Sequence, residues 1–73
     1  MENRIRALRE DRDLTQTEVA AALGITQRKY SYLETGVQQW TDELLVGLAK
    51  FYGVSIDYML MLTDEPSPER QRR

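Results

Sequence analysis

Two stretches with helical spacing, Gln16–Leu23 and Gln27–Thr35, are separated only by Gly24, Ile25 and Thr26. A connection this short cannot carry the chain to a distant neighbour, and it forces the second helix to cross the first steeply. Such a crossing makes several demands at once. A small residue must sit where the helices pass closest, and Ala20 is there. The turn must enter the left-handed backbone region, which Gly24 does without a Cβ penalty. Val19, Leu23, Ile25, Tyr30 and Leu33 fall where they can point into one shared core. Thr26, Gln27, Arg28, Lys29 and Tyr32 are then left on the outer face of the second helix.

The same punctuation continues along the chain. Thr15 with Glu18 has the spacing of a capping box, and Thr26, Thr41 and Ser55 can each cap a following helix. Asp42 and Glu43 suit the positive end of the helix that Thr41 starts. Trp40 with Leu45, and Val54 with Met59, have the spacing of hydrophobic staples. Apolar residues recur at helical intervals, as in Ile5 and Leu8 or Leu44, Leu45, Leu48 and Phe51, and no alternating run of strand length appears. The pattern predicts an all-α, compact five-helix bundle with helices at about 2–12, 16–23, 27–35, 42–52 and 56–62. One domain over 1–63 is expected, followed by a polar tail over 64–73 that holds both prolines and Arg70, Arg72 and Arg73.

At 73 residues and 8.5 kDa, with no cysteine and no histidine, the chain has little to build a catalytic or metal site from. Glycine-rich phosphate loops are missing, as are carboxylate pairs tied to a pocket, so the expectation is no enzyme, no cofactor, no metal and no small-molecule ligand. The first fifteen residues are dense in charge and predict no signal-peptide core, and no apolar stretch is long enough to cross a bilayer. A soluble cytoplasmic protein is expected. The net charge of −2 gives no general attraction to nucleic acid, so any such function must come from how the charge is distributed.

That distribution is informative in one place. A helix that opens Thr26-Gln27-Arg28-Lys29 on an exposed face offers an amide, a guanidinium and an ammonium together, groups suited to base edges and phosphates in a major groove. Arg4, Arg6 and Arg12 are interleaved with acids, and a solvated first helix is the expectation for them.

The run LTQTEVAAALGITQRKYSYLETG, followed by LLVGLAKFYGVSIDYML, resembles the Cro/C1-type (Xre-like) helix-turn-helix family of phage and bacterial repressors. The resemblance covers about residues 3–63 and rests on Leu14-Thr15-Gln16, Leu23-Gly24-Ile25, Glu34 before Gly36, and Gly53-Val54-Ser55. It implies a lambda-repressor-like bundle that binds double-stranded operator DNA, as a homodimer on a two-fold-symmetric site, to control transcription. Gln16 would contact a phosphate. Gln27, Arg28 and Tyr32 occupy base-reading positions, although tyrosine is not a standard hydrogen-bonding base reader and Tyr32 would either meet a thymine methyl or simply pack, and Thr26 and Lys29 would approach the backbone. Arg9 and Glu34 match a buried structural salt bridge. The family pattern is broken at Thr35 and Val37, where many members carry Asn or Arg and then Lys. The loop 36–41 has no basic residue, and Asp42 and Glu43 follow it. Few phosphate contacts and a shallow salt dependence are therefore expected.

The apolar run Tyr58, Met59, Met61 and Leu62 exceeds what one short helix end can bury and suggests an isologous dimer contact, so that Met59→Asp should give a folded monomer. The uncharged loop and acidic balance leave a second reading open. In it, the scaffold is a protein-interaction module, antitoxin or anti-repressor-like, that no longer reads DNA.

Overall fold

The computed structural model describes residues 3–66, and helix ends account for most of its architecture. The elements are α1 (Ile5–Asp11), α2 (Gln16–Leu23), α3 (Gln27–Thr35), α4 (Asp42–Tyr52) and α5 (Ile56–Met59), with no strand among the described residues. Each helix after the first starts from a hydroxyl residue in extended conformation. Thr15, Thr26, Thr41 and Ser55 accept the amides of Glu18, Lys29, Leu44 and Tyr58, and Glu18 completes a capping box on Thr15. No helix of the described residues is long and apolar enough to cross a membrane.

Four helices also end alike. The amides of Leu14, Ile25, Val54 and Leu62 reach back to the carbonyls of Arg9, Ala20, Ala49 and Asp57 at 3.1, 3.0, 3.1 and 2.8 Å. This bond is the long one of a Schellman ending, and it requires a left-handed residue just before the donor. Gly24 and Gly53 supply it after α2 and α4, but Asp13 (φ 55°) and Met61 (φ 64°) supply it after α1 and α5. The sequence extends α5 to about residue 62; the turn at Met61 stops it at Met59.

The core draws on all five helices and the α4–α5 corner: Ile5, Leu8, Val19, Ala20, Tyr30, Leu33, Leu48, Tyr52, Val54 and Met59 are buried. Gly47 allows α4 against α2, since a Cβ there would lie 3.2 Å from Leu23 Cδ2. Two expectations change here. Phe51, placed on the apolar stripe of α4, is 44% exposed, and Tyr52 fills the core instead. Met59, expected on a dimer face, is fully buried: its amide bonds to the Ser55 carbonyl and its own carbonyl takes the Arg4 amide at 2.7 Å, which turns its side chain into the bundle.

Nor is the first helix merely solvated. Arg4 lies over the Tyr58 ring, 4.3 Å from its centroid, and donates to the carbonyls of Tyr58 and Thr63 and to Asp64 Oδ1. Arg12 covers the Tyr52 ring and donates to the Tyr52 carbonyl, while Arg6 forms an exposed pair with Glu10. Beyond the expected boundary at Thr63, the Ser55 amide still binds the Pro66 carbonyl at 3.0 Å. Arg70, Arg72 and Arg73 lie outside the described residues.

One carboxylate joins α1, α2 and α3. Glu34 Oε2 accepts from Arg9 Nε (2.9 Å) and the Tyr30 hydroxyl (2.7 Å); Oε1 accepts from Arg9 Nη2 (3.0 Å) and Gln16 Nε2 (3.0 Å). Arg9 Nη1 goes on to the Leu14 carbonyl at 2.9 Å. Burial alone would raise the Glu34 carboxyl, but the hydrogen bonds from Arg9, Tyr30 and Gln16 outweigh it and hold the group below the usual carboxylate range. The bond to Glu34 raises Arg9, and burial followed by the bond to Glu34 raises Tyr30 far above an ordinary phenol.

Three outcomes follow from these contacts. Truncating Met59 to Ala should cost ~2–5 kcal/mol in urea unfolding, and Met59→Asp should unfold the chain rather than yield a monomer. Because the folded-state pKa of Glu34 is depressed, its contribution is fully present above the unfolded carboxyl value, about 4.3, and is lost as pH falls through the lower folded value. Glu34→Gln should therefore cost ~3–5 kcal/mol at neutral pH and flatten the loss of urea stability with acidification. An acid slope identical to that of the wild type would mean that other carboxylates govern it.

Candidate nucleic-acid interface

The α3 helix is held by one face and free on the other. Tyr30 and Leu33 are buried, and the Tyr30 ring meets Trp40 edge-on at 5.9 Å between centroids. With that face locked, the Thr26 cap sets the opening turn, and Gln27, Arg28 and Lys29 stand exposed on it together with Thr26 itself. Tyr32, one turn further on, is 41% exposed.

Charge sets this surface apart from the α1 region. The α1-region arginines Arg4, Arg6, Arg9 and Arg12 are all engaged by carboxylates, carbonyls or rings of the same chain. Among the described residues, neither Arg28 nor Lys29 has a side-chain partner. Two adjacent cations thus remain available at the start of α3. The loop 36–41 beside it carries no basic side chain, Val37 there is 71% exposed, and Asp42 and Glu43 form the first turn of α4.

Gln16 is committed in a way the sequence did not show. It is half-buried at the start of α2, donates to Glu34, and accepts from Gln27 Nε2 at 2.8 Å through its Oε1. The expected phosphate contact is left with the second N–H of its amide. Gln27, Arg28, Lys29, Thr26 and Gln16 therefore lie along one edge formed by the starts of α2 and α3, and Tyr32 lies farther along α3. The Tyr30 hydroxyl, also missed, is four residues before Glu34 on the same helix, and that spacing was its available signal. Among the described residues, no group of three or more His, Cys, Asp or Glu could hold a metal ion.

Comparison with known proteins agrees with this geometry. A family model described as helix-turn-helix matches residues 5–59. An uncharacterized HTH-type transcriptional regulator, YobD, of Bacillus subtilis is 39% identical over 70 residues, covering 96% of this chain and 62% of the relative. The cryptic phage CTXphi transcriptional repressor RstR of Vibrio cholerae is 46% identical over 54 residues, 74% of this chain and 49% of its own. A third relative, the uncharacterized HTH-type transcriptional regulator MJ0272 of Methanocaldococcus jannaschii, is 29% identical over 89% of this chain and 98% of its own length. The chain thus spans about half to three-fifths of the length of the first two. No solved structure matches it. By its helix pair, its capped and exposed α3 and the extent of the family match, the chain belongs to the Cro/C1-type helix-turn-helix family of transcriptional regulators.

Proposed function

We propose that this chain reads double-stranded DNA with α3 in the major groove and acts as a repressor by occupying a two-fold-symmetric operator as a homodimer in the cytoplasm. The observation that carries the reading is the uncommitted Arg28 and Lys29 beside Gln27 on the first turn of a helix whose opposite face is locked into the core. Gln27 and Arg28 read base edges, Tyr32 meets a thymine methyl, and Thr26, Lys29 and the free N–H of Gln16 approach phosphates. The name of RstR, a transcriptional repressor, supports the direction of control.

The dimer face is the apolar surface around α5 without Met59. Leu14, Ile25 and Val54 each follow a Schellman turn and pack toward the core, whereas Leu62, in the same position after α5, is 72% exposed. An apolar residue in that position ordinarily packs back on its own helix, so Leu62 and its neighbour Met61, 47% exposed, are left for a second copy. Beside them is an open groove of about 430 Å³ between α4 and α5, lined by Val46, Ala49, Val54 and Ile56 and flanked by Lys50 and Asp57. Two-fold apposition sets the lysine of one copy against the aspartate of the other. Tyr58 contributes only the edge that Arg4 leaves uncovered.

The uncharged loop 36–41 and the acids of α4 favour the second reading, a protein-interaction module, and the first experiment separates the two. Selection from a random duplex pool at low salt should enrich a symmetric site with half-sites about one helical turn (~34 Å) apart. The double variant Gln27→Ala/Arg28→Ala should lose that preference while remaining folded. If neither protein enriches a sequence, the interaction-module reading stands instead. Leu62→Asp should produce a folded monomer by light scattering and weaken operator binding roughly a hundredfold or more. An unchanged mass would remove this face from the interface.

A further inference from the structure

We propose that Arg4 is a positioning residue for self-association: its guanidinium grips the turn after α5 on both sides and so holds Leu62 outward, where a second copy of the chain takes it up. The inference rests on the reading of Leu62 as part of the dimer face, and it adds to that face a residue from the start of α1.

The turn is one that must be held in place. Met61 has a φ of 64°, in the left-handed region, where a residue with a side chain persists only if its surroundings over-determine it. A Schellman ending is ordinarily secured by the apolar residue after the left-handed one, which packs back on its own helix. Leu14, Ile25 and Val54 do this after α1, α2 and α4, but Leu62 is 72% exposed and does not. Some other contact has to stabilise the turn at Met61 if Leu62 is to face solvent.

Arg4 supplies that contact. Its Nε donates to the Tyr58 carbonyl at 2.9 Å, before the left-handed residue, and its Nη2 donates to the Thr63 carbonyl at 3.2 Å and to Asp64 Oδ1 at 3.0 Å, just beyond Leu62. One planar fork thus spans Met61 and Leu62, while the Leu62 amide is fixed on the Asp57 carbonyl at 2.8 Å. The fork is itself anchored. The Arg4 amide binds the Met59 carbonyl at 2.7 Å, the guanidinium lies 4.3 Å from the Tyr58 ring centroid, and the side chain is only 22% exposed. Arg4 is the N-cap of α1 but makes no side-chain cap bond there, so its donors serve the α5 turn. With the turn secured by polar bonds, Leu62 is released from the packing that its position ordinarily demands. It is presented at a fixed geometry, which lowers the ordering cost of meeting a second copy.

Sedimentation equilibrium of the full chain over a range of concentrations tests this, at a temperature where circular dichroism shows the variants folded. Arg4→Met keeps an apolar stem over the Tyr58 ring and loses every donor. It should raise the dimer dissociation constant roughly tenfold or more, because each copy must re-form the left-handed turn in order to associate. Arg4→Lys keeps the charge but not the fork and should fall between Arg4→Met and the wild type, and it decides the matter should Arg4→Met not fold. Arg6→Ala removes a cation of α1 from its exposed pair with Glu10 and should leave the constant unchanged. Lower stability in both Arg4 variants with an unchanged dimer constant would make Arg4 a clamp on the fold alone and overturn the proposal. Equal weakening by Arg6→Ala would overturn it too, by reducing the effect to net charge. A wild type that is monomeric throughout, or a Leu62→Asp variant as dimeric as the wild type, would instead overturn the dimer face on which the inference rests.

Discussion

The carboxylate of Glu34 is the point on which the arrangement of the first three helices turns. Each of its oxygens accepts two hydrogen bonds, so its acceptor capacity is filled by Arg9 from α1, Gln16 from α2 and Tyr30 from its own helix. The Glu34 side chain is 3% exposed and that of Arg9 12%, so the pair is screened little by solvent and sensitive to loss of either partner. A buried pair of this kind is weak evidence for net stability, because a well-packed apolar replacement can do as well. Its directional bonds do something apolar packing cannot. They set the rotation of α3 relative to α1 and α2, and hence which of its residues are left facing outward.

How much of this was legible in the chain depends on where the information lay. Residues that act locally were readable: Thr15, Thr26, Thr41 and Ser55 cap the helices they precede, and α2, α3 and α4 begin and end where glycine and hydroxyl residues mark them. The left-handed residues Asp13 and Met61 were not readable, because neither type signals that conformation as glycine does. The error at Met59 follows directly. Continuing α5 through Leu62 gives Met59 and Leu62 a shared face, whereas a Schellman turn at Met61 sends Met59 inward and Leu62 outward.

The site divides along the same line. Thr26, Gln27, Arg28 and Lys29 were legible by elimination, since Tyr30 and Leu33 had to point inward and the remaining face could not. Gln16 lies beside Gln27 at the start of α2, but its partners come from 11 and 18 residues away and no local pattern announces them. The same holds for Arg4, whose partners Tyr58 and Asp64 lie at the other end of the chain. Phe51 and Tyr52 show the limit of periodicity itself. Both fit an apolar stripe of α4, and it is Tyr52 that the core takes in, with Arg12 over its ring and bonded to its carbonyl.

Net charge is a poor guide for this molecule for a structural reason. Four of its arginines are engaged by partners within the chain, so a formal balance of −2 counts cations whose charge is partly answered before any phosphate approaches. What DNA would meet on the proposed reading is the local field at the start of α3, where Arg28 and Lys29 have no side-chain partner among the described residues. Two cations on this edge would release few counterions, which would limit affinity for any one half-site and make it depend weakly on salt. Such a surface gains more from a fixed amide geometry and from a second subunit than from added charge. A rigid reader lowers the ordering cost of each contact, and a dimer makes the second half-site an intramolecular encounter. On the proposed reading, the bond between Gln16 and Gln27 and the exposed apolar turn at Leu62 would address those two needs.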